Sequence, residues 1–326
     1  MPAVSIIMAT YNHAEFIENA VRSVLAQTFQ DFELIIVDDG STDNTGKIVQ
    51  ENIKSEKIKY CYQKNMGAAG ARNNGLRMAV GEFVVFFDSD DLLYPKYLER
   101  QIETMRRAES DMAVCDFDLV YWDGTRKNVI IGIQSQDQFY QWIIQNQSPP
   151  VATMIKRNVV AAAGFFDESL FNTEDYDLFL RILAGGAVVA HTHETLCDYT
   201  IHKVGISEQI ENKIKDKAKI INKLSRMLME KPGLLRKEQL KALMDKNRVY
   251  FQRCLALNID TASTMPEAVR FMEKQYSERR GMAPFLVKCL GYPRYNQLIF
   301  IKNSLMYRGY GEKILDQELA WRRKKG

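Results

Sequence analysis

The 326-residue chain has no Cys-x-x-Cys pair. Its five cysteines, Cys61, Cys115, Cys197, Cys254 and Cys289, are an odd number set far apart. That pattern argues against a disulfide framework or a zinc ribbon and favours a reducing compartment. No apolar run approaches the roughly 20 residues of a membrane span. No Lys or Arg precedes Arg22, so the start lacks the basic flank of a secretory signal. There is no His-x-x-x-His spacing and no Gly-x-Ser-x-Gly elbow, which weakens zinc-protease and serine-hydrolase readings. The glycines form neither the dinucleotide nor the P-loop spacing. No internal repeat or low-complexity tract is present. Together these absences predict a soluble cytoplasmic protein.

What is there is ordinary globular material: 46% hydrophobic and 26% charged residues. The length predicts about two domains and a core large enough to need no metal or disulfide. The net charge of +3 hides a division. Residues 1–204 carry 18 Lys+Arg against 28 Asp+Glu, a net of −10, and residues 205–326 carry 26 against 13, a net of +13. An acidic half suits a cation, and a basic half suits an anionic surface or substrate. Lysine-rich surface helices are also common for solubility alone, and both readings stand.

In the first half, short apolar runs alternate with helical patterns. Residues 4–9, 32–37, 58–62 and 83–87 read as strands, and residues 15–27 and 70–80 as helices. Ser41 or Thr42 can cap a further helix through Ile48 and Val49. Strands that are apolar on both faces imply a sheet covered on both sides, and strand–helix alternation implies a parallel, doubly wound α/β core. In such a sheet ligands bind beyond the carboxyl ends of the strands. Polar clusters stand at those ends: Thr10-Tyr11-Asn12, Asp38-Asp39 and Asp88-Ser89-Asp90-Asp91. From about Ser207, Ile214, Ala218, Ile221, Leu224 and Leu228 form an apolar helical stripe among lysines. A second long helix follows Pro232-Gly233, carrying Leu240, Leu243, Met244, Phe251 and Leu255, and Pro266 can start a third to about Arg280. The final stretch mixes aromatic and basic residues, among them Tyr292, Arg294, Tyr295, Phe300, Tyr307, Arg308 and Tyr310, and closes on Trp321-Arg-Arg-Lys-Lys. The boundary is placed between residues 1–206 and 207–326.

Two carboxylates two residues apart at a strand end can meet a hard divalent cation whose shell is completed by diphosphate and water. A bare Asp-x-Asp is more often an acidic turn; here the buried strand before it and Asp91 after it favour the cation. Asp39 is either a turn residue or an acceptor for a base N–H, with Tyr11 offering a stacking face. Arg72 lies in a Gly-Ala turn entering a helix and is available to a phosphate. Glu174-Asp175 opens a helical pattern, as acidic residues often do, or supplies a general base for an acceptor hydroxyl. His202, taken alone, is a structural histidine, and His191 and His193 alternate along a strand pattern.

In order, these pieces resemble a family 2 glycosyltransferase of the GT-A fold. The resemblance is carried by Val4-Ser-Ile-Ile-Met-Ala-Thr-Tyr-Asn12, Ser23-Val-Leu-Ala-Gln-Thr-Phe29, Glu33-Leu-Ile-Ile-Val-Asp-Asp-Gly-Ser-Thr-Asp43, Asn65-x-Gly67 with Ala71-Arg-Asn73, Gly81-Glu-Phe83, Asp88-Ser-Asp-Asp91, Gly164-Phe-Phe-Asp167 and Glu174-Asp175. It covers residues 3–207 and not the C-terminal third. It implies a Rossmann-like, mostly parallel sheet followed by a helical module. Thr10, Tyr11 and Asp39 would hold the nucleoside, most often uridine, and Arg72 would approach the nucleotide sugar. Asp88, Ser89 and Asp90 match the metal and diphosphate motif, with Asp90 and Asp88 as ligands to Mn2+ or Mg2+. Asp175 matches the catalytic base. His202 matches a histidine that reaches the metal or diphosphate, although Thr200 stands where the family usually has Arg, and Ala9 where Pro is frequent.

The expected activity is metal-dependent, inverting transfer from a UDP-sugar to a glycan, glycolipid or glycoprotein precursor. The rival enzyme reading is a sugar-nucleotide nucleotidyltransferase, which a Gly-rich, Lys-bearing loop after the first strand would support; Thr10-Tyr11-Asn12 stands there instead. A silent sugar-nucleotide-binding scaffold is the non-enzymatic reading. The basic C-terminal region is expected to dock on an anionic membrane surface at the inner face of the cell membrane, to form homo-oligomers, or to bind the acceptor. Its stripes are amphipathic, which disfavours nucleic acid as a partner.

Overall fold

The computed structural model describes residues 1–132, 148–170, 173–202, 206–231, 233, 237–257, 259–277, 287, 292–294 and 296–297. The chain divides into two compact units, Met1–Val204 and Gly205–Gly326.

In the first unit the strands are β1 (Val4–Thr10), β2 (Phe32–Asp38), β3 (Ile58–Tyr62), β4 (Phe83–Asp88), β5 (Leu92–Leu93), β6 (Met112–Tyr121), β7 (Arg126–Val129), β8 (Thr153–Lys156) and β9 (Val189–Ile201). They lie in one sheet in the order β3-β2-β1-β4-β8-β6-β9-β5, with β7 paired to β6. The sequence-predicted half, β3-β2-β1-β4, is parallel throughout. Beyond it the sheet is mixed: β8 runs antiparallel to β4 and β6, and β9 runs parallel to β6. β6 also turns straight into the hairpin strand β7, which runs antiparallel to it.

The helices are α1 (Ile17–Leu25), α2 (Thr45–Lys47, passing into a π turn Ile48–Asn52), α3 (Gly67–Met78), α4 (Tyr97–Arg107), α5 (Arg157–Ala163) and α6 (Glu174–Ala184). The expected caps for α2 have other work. Ser41 Oγ accepts the Asn12 N–H and the Thr42 N–H donates to Asn12 Oδ1, so both residues clasp the loop after β1. Asp43 accepts the Thr45 N–H instead, and α2 starts later.

The core lies where α1, α3 and α4 cover the sheet. Ile6, Ile7, Met8, Leu34, Ile35, Ile36, Val84, Val85 and Phe87 are fully buried, each stabilising the fold by about 1.5–3 kcal/mol relative to exposure. The fit is tight where α3 crosses β1: a Cβ added at Gly75 would lie 2.4 Å from Ile7 Cγ2, so Gly75→Ala costs about 1–3 kcal/mol.

The second unit is helical: α7 (Ile206–Glu230), α8 (Lys237–Ala256), α9 (Thr261–Thr264) and α10 (Pro266–Ser277). The predicted stripe Ile214, Ala218, Ile221, Leu224 and Leu228 is buried. Asn222 Oδ1 accepts the N–H groups of Glu267 and Ala268, satisfying the start of α10 from α7. The remainder of the predicted third helix and the aromatic–basic tail, including Tyr295, Phe300, Tyr307, Arg308, Tyr310 and Trp321, lie outside the described residues, as does Cys289. Among the described residues no helix is long and apolar enough to cross a membrane.

Candidate active site

The sheet register sets Thr10 beside Asp38 and Ala9 beside Asp88, so the ends of β1, β2 and β4 form one polar edge. The loop after β1 is fixed to the loop after β2. Asn12 sits at φ +53°, a region Asn tolerates better than most residues, and its contacts with Ser41 and Thr42 hold the turn. Tyr11 is left exposed at the rim.

Asp39 follows β2 and is buried. Its N–H donates to the Thr10 carbonyl at 2.8 Å. Its Oδ1 accepts two donors, the Met66 N–H at 2.8 Å and the Gln63 amide at 2.7 Å. One oxygen of the carboxylate is thereby occupied and its direction fixed.

Asp88 ends β4, and Asp91 N–H returns to the Asp88 carbonyl at 3.1 Å in a tight turn. Asp90 Oδ2 stands 2.7 Å from His202 Nε2. Thr200 closes the turn from β9: its hydroxyl donates to the Asp90 carbonyl at 2.6 Å and its N–H to Asp91 Oδ1 at 2.8 Å. Thr200 thus braces the acidic turn through both its backbone and the Asp91 side chain. Burial and the neighbouring charge of Asp88 push the Asp90 carboxyl upward, against the pull of the His13 and His202 imidazoles. Asp91 is pushed well above the carboxylate range by burial and by Asp90 and Asp88. A cluster that resists its own negative charge suits a divalent cation, and the carboxylate oxygens fit a hard ion such as Mn2+ or Mg2+. Among the described residues no three His, Cys, Asp or Glu side chains converge to enclose a cation by themselves.

Arg72 projects from α3 and is almost fully buried, its guanidinium raised by Asp88 and Glu174 against the cost of burial. It donates to Asp88 Oδ1 at 2.6 Å and to Glu174 Oε1 at 2.5 Å. Asp175, the next residue, is half-buried at the first turn of α6 and accepts the Tyr176 N–H at 2.7 Å. Burial, then the Glu174 charge, push its carboxyl up to about 7, while Arg72 opposes them. A carboxylate with that proton affinity can accept a hydroxyl proton near neutral pH.

Within the one acidic turn Ser89 meets Thr10, Asp90 meets His202 and Asp88 meets Arg72, which adds Glu174 beside Asp175. Asp39 forms a second cluster with Gln63 and Met66. Two participants were not singled out in the sequence. Tyr199 is half-buried, and burial and the charges of Asp91, Asp175, Asp88 and Asp90 push its hydroxyl upward. His13 Nδ1 lies 2.7 Å from Ser89 Oγ. Glu174, read in the sequence as part of the Glu174-Asp175 helix start, pairs with Arg72. The signal for His13 was its place in the run directly after β1; Tyr199 and Glu174 meet their partners only through the fold. His191, by contrast, bonds Asp116 at 2.8 Å within the sheet, as expected of a strand residue.

Residues 5–162 match the family model described as glycosyl transferase family 2. An uncharacterized glycosyltransferase of Rickettsia typhi is 30% identical over 226 residues, 66% of this chain and 69% of the relative. A longer relative from Rickettsia conorii is 31% identical over 186 residues, which span 57% of this chain and 31% of that protein. Among solved structures, Staphylococcus aureus TarS 1-349 in complex with UDP-GlcNAc superposes with a TM-score of 0.64 at 20% identity, covering 96% of this chain and 91% of that one. The mannosyltransferase PcManGT of Pyrobaculum calidifontis, with GDP-Man and Mn2+, gives 0.57 at 18% identity, covering 96% and 85%. These likenesses carry the fold, GT-A.

Proposed function

The chain belongs to glycosyl transferase family 2 and is a glycosyltransferase, and from that premise we propose that it transfers a hexose or N-acetylhexosamine from a UDP-sugar to a hydroxyl of a glycan, glycolipid or glycoprotein precursor, with inversion. The observation that carries this reading is the Arg72 bridge, which ties the acidic turn at the end of β4 to the Glu174-Asp175 start of α6.

Asp39 supports uracil as the base. With Oδ1 held by Met66 and Gln63, Oδ2 is left for a single donor such as uracil N3–H, whereas guanine presents two donors side by side. Tyr11 offers its face to the ring. Asp90, Asp88 and His202 would hold Mn2+ or Mg2+, with diphosphate and water completing the shell. The cation would supply neutralising charge to the leaving diphosphate. A complex with Mn2+ in a structural neighbour supports the choice of ion.

Asp175 takes the proton of the acceptor hydroxyl as that oxygen bonds to the anomeric carbon, and the bond from that carbon to the diphosphate oxygen breaks in the same step. The electron pair leaves with the UDP, and because the acceptor oxygen itself displaces it, no covalent glycosyl-enzyme forms. Glu174 and Arg72 hold Asp175 in place and raise or restrain its proton affinity. The basic second unit, on this reading, docks at the inner face of the membrane where a lipid-linked acceptor sits, or forms the contact of a homo-oligomer.

The test is turnover. Incubation with a panel of UDP-sugars and Mn2+ should release UDP, slowly to water alone and faster with acceptor extracts. Absence of UDP release from every UDP-sugar, with release from GDP- or TDP-sugars instead, would reassign the donor.

A further inference from the structure

We infer that His13 is a positioning residue that sets the acidic turn through its Nδ1–H bond to Ser89. The inference rests on the nucleotide–cation reading of the site. Nothing in the resemblance or the comparisons assigns His13 a part.

The argument begins with the loop after β1, which is fixed on three sides. The His13 N–H donates to Thr45 Oγ1 at 2.9 Å, the Ala14 N–H to Asp43 Oδ2 at 3.1 Å, and Asn12 is clasped by Ser41 and Thr42. The ring therefore has a fixed origin. Its edge meets Phe16 with centroids 5.7 Å apart, and Phe16 in turn lies 5.0 Å from the His202 ring. A packed aromatic file thus runs from His13 through Phe16 to the imidazole that meets Asp90.

Proton accounting fixes the direction of the bond. Ser89 is fully buried, and its hydroxyl donates to Thr10 Oγ1 at 2.9 Å. A hydroxyl has one proton, so at 2.7 Å from His13 Nδ1 the same oxygen accepts. The chain His13 Nδ1–H to Ser89 to Thr10 links three points: the loop after β1, the middle of Asp88-Ser89-Asp90, and the end of β1. Ser89 is the only residue between the two carboxylates, so its placement sets the direction of both. Removing the donor leaves a buried hydroxyl oxygen without its second partner and frees the turn to shift.

Asn carries an N–H donor near the place of Nδ1, whereas Gln carries one near Nε2. The experiment compares His13→Asn, His13→Gln and His13→Ala by calorimetry, using UDP with Mn2+ and uridine without metal as probes. Ala and Gln are expected to weaken UDP binding in Mn2+ about ten-fold, on the scale of one lost hydrogen bond. Asn should return it to within about three-fold of wild type. Uridine binding, which does not use the acidic turn, should be unchanged in all three. Rescue by Gln and not Asn would overturn the inference, because His13 would then act through Nε2. Equal UDP affinity in all three variants, or uridine affinity lost in step with UDP, would overturn it as well. Should the Ala variant fail to fold, the Asn and Gln pair decides. Failure of the wild-type chain to bind UDP with Mn2+ would instead sink the donor reading, and so is distinguishable.

Discussion

Arg72 and Glu174 are 102 positions apart in sequence, yet their side chains meet at 2.5 Å inside the first unit. Because the same guanidinium also holds Asp88, one cation joins the strand that carries the acidic turn to the helix that carries Asp175. Arg72 thus spends two of its donors on carboxylates, which makes it an organiser of the site before any phosphate arrives.

Arg72→Ala leaves two carboxylates without their cation in a buried place. Loss of one partner of a buried pair costs about 3–5 kcal/mol, and denaturant unfolding should show a fall of that size. Arg72→Lys keeps the charge but loses the fork that reaches both carboxylates, so it should recover part of the stability and little of the turnover.

Asp175→Asn should lower kcat by about 10²–10⁴-fold, the usual share of a general base, while UDP affinity with Mn2+ stays within about two-fold of wild type, since the proposed mechanism puts Asp175 at the acceptor rather than the nucleotide. Single-turnover kinetics paired with calorimetry separates the two. Turnover at the wild-type rate would remove Asp175 from the mechanism.

The raised carboxyl of Asp175 also has a sign for stability. Its folded pKa of about 7 stands above the unfolded value of about 3.9. Its contribution is therefore fully present below pH about 4 and is lost as pH rises through about 7. Asp175→Asn removes that loss, so the variant should melt higher than wild type at pH 8.5, with the gap closing toward pH 4. In turnover the sign is opposite: kcat/KM rises with pH through a limb near 7, and saturating cation moves the limb lower.

Asp90→Asn and His202→Ala should each raise the Mn2+ concentration for half-maximal turnover by at least about 10-fold, since losing even an outer partner of a metal ligand costs about 10–100-fold. Chelator should abolish turnover in the wild type, and titration of the restored rate against added Mn2+ gives the comparison. An unchanged metal requirement in both variants would place the cation elsewhere.

Asp39→Asn replaces an acceptor by an amide that can turn a donor toward the base. UDP binding should weaken by about ten-fold or more, as for a hydrogen bond to a charged group, and discrimination between UDP and CDP should narrow because cytosine lacks the N3–H. Calorimetry with both nucleotides reads the ratio directly.

Much of this was legible in the sequence because it is local. The continuous apolar runs of β1, β2 and β4 become strands where the sequence shows them, and the polar clusters follow from the strand ends. Asp88-Ser89-Asp90 and Glu174-Asp175 were visible as types of residue at the right kind of boundary. The stripe Ile214 to Leu228 reads as one helix face because every member obeys one spacing. What the sequence concealed is long-range. Nothing in residues 189–201 alone says that β9 runs beside β6 and brings Thr200, Tyr199 and His202 to the acidic turn. Ser41 and Thr42 look like helix caps until Asn12 is seen to claim them, and Glu174 looks like a dipole residue until Arg72 reaches it. Tertiary partners decide in each case between two uses of one side chain.

The central claim is that this chain binds a uridine diphosphate through a cation-dependent site, and a thermal-shift panel of UDP, GDP, CDP and TDP, each with Mn2+ or with chelator, tests it most directly. A ligand at ~100 times its Kd stabilises the folded chain by about 2.7 kcal/mol, enough to move the melting point visibly. The account predicts a clear rise with UDP and Mn2+, and little or none with UDP and chelator or with the other nucleotides. A rise with GDP but not UDP, or an equal rise with and without Mn2+, would contradict it.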